Sequence, residues 1–352
     1  MFDDYITLGR SGLRVSRMAL GSFNFGGGHD WELAPADAHA IIDRYRALGG
    51  NFIDSANIYG SGEAEGIIGD HFAASSARDS MVIATKFTNN VQPGDPNGGG
   101  AHRKSIVRAC ERSLRRLRTD YIDLFWMHMW DKATPIEESL RALDDLVSQG
   151  KVLHIGFSNV PAWKVTEAHC LAAFRGYSPV VALQLQYSLL ERNIEAELVP
   201  MAQAYGIGIC PWSPLKSGAL SARFTRETIA GASGGRAALA RRSLDERGFA
   251  IVDTVIGIAR IRGSTSAQVA LAWLRQQPCV ASILLGADSM AELEENGATS
   301  GITLDAEELA TLDAVSRPAL RYPLDLVNRG PGAIYGGTRI NGVAADGGGH
   351  IR

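Results

Sequence analysis

The sequence predicts a single-domain α/β protein, a (β/α)8 TIM barrel preceded by an N-terminal β-hairpin. Three observations carry this. Short apolar runs of strand length alternate with longer segments whose apolar residues recur at helical spacing, and eight such units fit in the 352 residues. Buried strands separated by amphipathic helices pair in parallel with the helices outside. Eight units argue for a closed barrel over an open doubly wound sheet, and several strands end on an ionisable residue, where active sites of this architecture lie.

The chain bears this out in order. Two short runs, 2–8 and 13–16, flank Gly9-Arg10-Ser11-Gly12 and read as a hairpin over 1–16 that covers one end of the barrel. The barrel is expected over about 17–300. Its strands are 18–20, 51–54, 81–85, 122–127, 152–157, 180–183, 208–212 and 282–285. Helical patterns fill 35–48, 63–72, 103–117, 135–149, 162–174, 195–205 and 266–276. In the first of these, Ala38, Ile41, Ile42, Tyr45 and Leu48 share a face, and Gly49-Gly50 ends it. GSFNFGGG (21–28) is glycine-rich but is not the GxGxxG dinucleotide fingerprint. Two irregular stretches, 88–102 and 224–248, both follow strands and are expected as loops over the active face. Residues from about 301 to 352 form a C-terminal segment, with a Gly-rich tail expected to be mobile past about 341.

Composition narrows the function. A net charge of −3 gives no electrostatic case for nucleic acid or an anionic membrane. The start, MFDDYITLGRSG, is neither a signal peptide nor an anchor, and no stretch approaches the ~20 apolar residues of a membrane helix. Cys110, Cys170, Cys210 and Cys279 are scattered without a CxxC, as expected for reduced thiols in a cytoplasmic protein. The eight histidines show no metal-ligand spacing, so no metal is expected.

Chemistry is concentrated at three adjacent strand ends. The second strand ends at Asp54, with Tyr59 in the following loop; the third ends at Lys86 (VIATKF) and the fourth at His128 (LFWMH). An acid, a phenol, an amine and an imidazole then meet at one mouth. A phenol has a pKa near 10, so a nearby cation that lowers it helps it exchange a proton at neutral pH. Lys86 is placed to be that cation, Asp54 to hold it, and His128 to hydrogen-bond a substrate oxygen. Each residue taken alone has a mundane reading: a helix cap, a packed phenol, a surface lysine, a satisfied core histidine. Their coincidence at consecutive strand ends favours catalysis.

The pattern Asp54, Tyr59, Lys86, His128 on such a chain resembles the aldo-keto reductases, and the likeness runs from LGRSGLRVSRMALGS through TLDAVS. GKVLHIGFSN (150–159) resembles the family motif whose Ser158 and Asn159 would bind a nicotinamide carboxamide. LQLQYSLLER (183–192) resembles the motif in which Gln184 binds the same amide. WSPLKSG (212–218) resembles the motif whose Trp212 would stack on the nicotinamide, with Ser213, Pro214, Leu215 and Gly218 near the diphosphate. GADSMAELEEN (286–296) occupies the adenosine-site motif, bringing in Gly286, Asp288, Glu292, Glu295 and Asn296. Gly21, Ser22, Asp54 and Arg223 complete the implied cofactor contacts. The WSPL and LLER forms resemble the branch containing bacterial general reductases, aryl-alcohol dehydrogenases and potassium-channel β subunits.

The resemblance implies an oxidoreductase using NAD(P)H. A hydride passes between nicotinamide and a carbonyl carbon, and Tyr59 gives the proton to the oxygen; the reverse reaction oxidises an alcohol. The partner is a small carbonyl compound or alcohol. The family usually prefers the 2′-phosphorylated cofactor, whereas Asp288 and Glu292 stand where neutral or cationic side chains are common. An acid there repels a 2′-phosphate and accepts from a ribose 2′-OH, so the chain leans toward NAD(H). Alternatively, Asp288 faces solvent and Arg223 or an arginine of 236–247 answers the phosphate. Phe23, Trp31, Tyr59, Trp130 and the segment near Tyr322 are candidate pocket walls, suited to flat or apolar carbonyls. A nucleotide-binding regulatory subunit on the same fold stays open, since channel-associated members keep the tetrad. A metal-dependent barrel hydrolase is disfavoured because no strand end carries His-x-His.

Overall fold

The computed structural model describes residues 1–26, 32–73, 75, 77–329, 334, 336–340 and 343–344. Trp31 and most of the Gly-rich tail lie outside them. The chain divides into two compact units, Met1–Ser316 and Arg317–Arg352.

The first unit is the barrel. Strands β3 (Met18–Gly21), β4 (Phe52–Asp54), β5 (Val82–Phe87), β6 (Ile122–Met127), β7 (Val152–Ser158), β8 (Val180–Gln186), β9 (Gly208–Trp212) and β10 (Ile283–Leu285) form one parallel sheet. Its order is β10-β3-β4-β5-β6-β7-β8-β9. The ring closes where Ile209 bridges Val280 in parallel, with Ile209 N donating to Cys279 O and Ala281 N to Ile209 O. Helices α1 (Pro35–Ala47), α2 (Glu63–Ala73), α3 (Arg103–Leu117), α4 (Ile136–Ser148), α5 (Ala162–Arg175) and α6 (Leu198–Tyr205) connect β3 through β9 in turn. The expected barrel is therefore present, strand for strand.

Apolar residues pack in two shells. Ala19, Phe52, Val82, Ala84, Leu124, Trp126, Val181, Ala182, Cys210, Ala281 and Leu284 cluster with Leu8 and Val15 of the hairpin. The alternate strand residues, among them Leu20, Ile53, Ile83, Phe125, Ile155, Leu183 and Ile209, pack on the helices. The strand period of two separates these sets, and burial on both faces explains the near-continuous apolar runs. The hairpin, β1 (Tyr5–Thr7) paired antiparallel with β2 (Arg14–Ser16), plugs the N-terminal end of the barrel. That end is filled by apolar side chains, which leaves chemistry to the other.

The stretch 224–248 departs from a plain loop. It contains α7 (Gly235–Arg241) and the start of α8 (Glu246–Arg262), so two helices, α8 and α9 (Ser266–Arg275), precede β10. Helix α7 buries only Ala237 and Ala240, too small a stripe to register against its arginines and glycines. Asp245 caps α8 by accepting from Gly248 N at 2.8 Å. The loop 88–102 has neither helix nor strand, as expected. After β10 come α10 (Met290–Gly297) and α11 (Ala306–Ser316). The second unit contains α12 (Leu324–Arg329) and a strand pair, β11 (Arg339–Ile340) with β12 (Val343–Ala344). Among the described residues no helix is long and apolar enough to cross a membrane.

Candidate active site

Parallel pairing continues past the strand ends and fixes the loops that carry functional groups. Ser22 N donates to Asp54 O, Ser55 N to Ala84 O, Asn57 N to Lys86 O and His128 N to Phe87 O. These bonds tie the segments after β3, β4, β5 and β6 into one rim. In the Tyr59 loop, Gly60, Ser61 and Gly62 all take left-handed backbone conformations. At Gly62 a side chain would also meet Arg116, its Cβ 2.8 Å from Nε, so this turn into α2 needs glycine.

The four predicted groups converge. The Lys86 ammonium is fully buried and pairs with Asp54 Oδ2, donates to Ser55 O at 2.8 Å and lies 3.1 Å from Tyr59 Oη. It also stands 4.7 Å from the centre of the Tyr59 ring. Gln184 Nε2 donates to Asp54 Oδ1 at 2.9 Å, so both carboxylate oxygens are engaged. The Tyr59 and His128 rings sit edge to face, centroids 6.2 Å apart.

Electrostatics assign protonation states. Burial works against the Lys86 charge, but Asp54 and Tyr59 together outweigh it and the lysine pKa is raised. Burial raises the Asp54 carboxyl, opposed by Lys86 and Gln184. Burial pushes the Tyr59 phenol up, more than Lys86 draws it down. This departs from the expectation that the lysine would win: without a ligand, desolvation of a phenolate outweighs the ammonium, and the phenol stays protonated. Burial, with help from Lys86, lowers His128 to about 3, leaving it neutral at physiological pH.

The residues expected to hold a dinucleotide form an arc around the same mouth. Ser158 ends β7 and Asn159 follows it; Asn159 Nδ2 donates to His128 O and Ser158 Oγ, both at 2.9 Å. Half-buried Trp212 ends β9 and donates from Nε1 to Asn159 Oδ1 at 3.2 Å. Ser213 and Gly218 adopt positive φ in the turns that follow, around Pro214 and Leu215. Gln184, expected on a carboxamide, spends its amide N–H on Asp54. Gly21 faces the β10 end, where a side chain would crowd Leu285 O. Gly286 and Glu295 are exposed, while Asn296 is buried, its Nδ2 without a partner among the described residues. Arg223 is exposed.

Asp288 does not face solvent freely. Arg236 of α7 pairs with its Oδ1, and Asn24 Nδ2 donates to Asp288 Oδ1 at 3.1 Å and to Ala287 O at 2.7 Å. Glu292 Oε2 accepts from Asp288 N at 2.9 Å. Segment 224–248 thus reaches the β10 end through Arg236. Phe23 packs edge-on against Tyr59 at 5.1 Å, and Trp130 against Trp163 at 5.2 Å, with Lys164 over both indoles. Trp31 lies outside the described residues, and Tyr322 belongs to the second unit.

Sequence reasoning missed Asn24, Ser55 and Asn89. Asn24 links the β3 and β10 ends, the Ser55 carbonyl accepts a hydrogen bond from Lys86 Nζ, and the Asn89 amide nitrogen lies 2.9 Å from His128 Nδ1. None carries a sequence signal, because a backbone carbonyl and a loop amide are recruited by position alone.

Comparison with known proteins agrees with this geometry. The Aldo/keto reductase family model matches residues 17–317. The chain is 33% identical over 337 residues to norsolorinic acid reductase stcV of Emericella nidulans, covering 92% of this chain and 84% of that one. It is 31% identical over 332 residues to the putative aryl-alcohol dehydrogenase AAD14 of Saccharomyces cerevisiae, covering 91% and 88%. The uncharacterized oxidoreductase YrpG of Bacillus subtilis is 35% identical over 322 residues, covering 89% and 95%. A match across nearly the whole barrel, with relatives aligned over most of both lengths, makes the chain a member of the aldo/keto reductase family.

Proposed function

We propose that this protein is a nicotinamide-dependent oxidoreductase that interconverts an aldehyde or ketone with its alcohol, Tyr59 serving as general acid and base. The observation that carries it is Lys86 Nζ bridging Asp54 and Tyr59 Oη in a buried site at the barrel mouth. In reduction, a protonated Tyr59 donates to the substrate oxygen while neutral His128 hydrogen-bonds the same oxygen and holds the carbonyl. Lys86 then stabilises the phenolate, and Asp54 keeps the lysine charged and fixed.

The residues of the arc fit a dinucleotide. Ser22 Oγ, Asn24 Oδ1 and Asn296 Nδ2 are buried polar atoms without a hydrogen-bond partner among the described residues, an arrangement that a bound polar ligand relieves. Asn159 and Ser158 would hold the nicotinamide end beside Trp212, Ser213 to Gly218 the diphosphate, and Gly286 to Asn296 the adenosine. When bound, the cofactor supplies or accepts the hydride.

The pairing of Asp288 with Arg236 moderates the lean toward NAD(H). Asp288 can accept from a ribose 2′-OH, and Arg236 can turn to a 2′-phosphate, so we propose relaxed cofactor choice. For substrate we propose a flat aromatic carbonyl compound or aryl alcohol. Phe23 beside Tyr59 supports this, as do the printed names of the relatives, a norsolorinic acid reductase and an aryl-alcohol dehydrogenase. Four unpaired cysteines are consistent with a reducing, cytoplasmic setting. The test is turnover of aryl aldehydes with NADPH and NADH by wild type and Tyr59→Phe. Wild type that binds cofactor but reduces none of a broad aldehyde panel would instead favour the regulatory reading.

A further inference from the structure

We infer that Asn89 is a positioning residue that fixes the tautomer of His128, so that Nε2 carries the proton and points it at the substrate oxygen. The inference rests on the proposed carbonyl chemistry at the same site.

The Asn89 amide nitrogen lies 2.9 Å from His128 Nδ1. An amide NH2 can only donate, so Nδ1 must accept and Nε2 must hold the one proton of a neutral ring. It is the amide nitrogen, not the oxygen, that stands against the ring. A second cation at His128 is also opposed by Lys86.

The backbone around Asn89 is built to hold this pose. Thr88 has φ of +98°, a rare conformation for a β-branched residue, and its carbonyl accepts from Gly100 N at 2.7 Å. Behind it, Gly98 and Gly99 pack so closely on Asn90 that a Cβ would come within 2.5 Å of its Oδ1 or 2.6 Å of its backbone nitrogen. The glycine run of loop 88–102 is therefore a seat for the Thr88–Asn90 turn, and the turn aims Asn89 at the imidazole. A donor directed at the outer nitrogen of a catalytic histidine fixes ring orientation and tautomer, as outer-shell partners do for metal-bound histidines.

The test is long-range 1H–15N correlation NMR on protein labelled with 15N-histidine, with the His128 signal identified by its loss in His128→Gln. Wild type is expected to show the Nε2–H pattern at pH 7. Asn89→Asp, which can only accept, is expected to move the proton to Nδ1 and to lower kcat for aldehyde reduction by about 10- to 100-fold. Asn89→Leu, of similar size without a donor, is expected to lose the single-tautomer pattern and part of kcat. An Nδ1–H pattern in wild type overturns the inference, as does an Asn89→Asp variant with unchanged tautomer or unchanged kcat. The NMR readout needs neither cofactor nor substrate. A wild type that turns over nothing but shows Nε2–H would therefore refute the proposed reaction and leave the tautomer assignment standing.

Discussion

Replacing Lys86 with methionine tests the electrostatic core of the site more sharply than any loss of activity. The side chains are similar in length, Lys86 is fully buried and Asp54 is 1% exposed, so the change removes a charge while largely keeping packing. It leaves the Asp54 carboxylate without its cationic partner, with the Gln184 bond still in place. Breaking one side of a buried pair costs about 3–5 kcal/mol. That cost depends on pH, and the sign is fixed. Burial already raises the Asp54 pKa above its unfolded value, and losing Lys86 raises it further. A carboxyl with a raised folded pKa binds its proton more tightly in the native state, so stability falls as pH rises from the unfolded to the folded value. Lys86→Met should thus lose more stability relative to wild type at pH 8 than at pH 5, read as urea midpoints at matched slope. Adding Asp54→Asn removes the stranded charge and should recover most of the loss. An equal loss at both pH values, with no recovery in the double variant, would refute the ion-pair account and mark Lys86 as a packing residue.

Further outcomes follow from the same geometry. Tyr59→Phe keeps the ring against Phe23 but removes the proton donor, and should lower kcat for carbonyl reduction by about 10²- to 10⁴-fold in steady-state assays while cofactor binding persists. With His128 held near a pKa of about 3 and the Tyr59 pKa raised, carbonyl reduction should be flat across pH 5–8, without a limb near 6.5. Alcohol oxidation should climb toward alkaline pH as the phenolate forms; a histidine limb in the reduction profile would contradict this protonation scheme. At the adenosine end, Asp288→Ser frees Arg236 and should favour NADPH over NADH, and Arg236→Gln should do the opposite. Each shift should be about tenfold, since unit charges 4 Å apart interact by about 1 kcal/mol in water and about 4 kcal/mol near a protein surface. Paired titrations by Trp212 fluorescence quenching would measure both.

What was legible in the sequence was what repeats or is chemically rare. The strands show because burial on both faces makes continuous apolar runs, and α1 shows because Ala38, Ile41, Ile42 and Tyr45 recur on one face and are all buried. The tetrad shows because Asp54, Lys86 and His128 sit where such residues have little structural reason to be. Helix α7 does not show, since an alanine stripe among arginines has almost no apolar contrast. The pairing of Asp288 with Arg236 does not show either: the sequence offers Arg223 or an arginine of 236–247 only as an answer to a 2′-phosphate, with Asp288 facing solvent, because a contact spanning 52 residues of sequence has no local signature.

The Tyr59 pKa shows a different kind of gap. The sequence supplies the cation and its distance from the phenol along the chain, and from these alone a lowered pKa follows. The fold adds desolvation, which depends on how completely β4, β5 and their loops close around the ring. Burial wins, and the resting phenol stays protonated. In the proposed reaction such a phenol would donate a proton to a carbonyl oxygen, whereas alcohol oxidation would first need a phenolate that burial penalises. For the reaction proposed above, this asymmetry predicts that reduction is the easier direction at neutral pH. A ratio of reductive to oxidative kcat that fell as the pH was raised would support this. A ratio that held constant from pH 6 to 10 would mean that another group, not Tyr59, exchanges the proton.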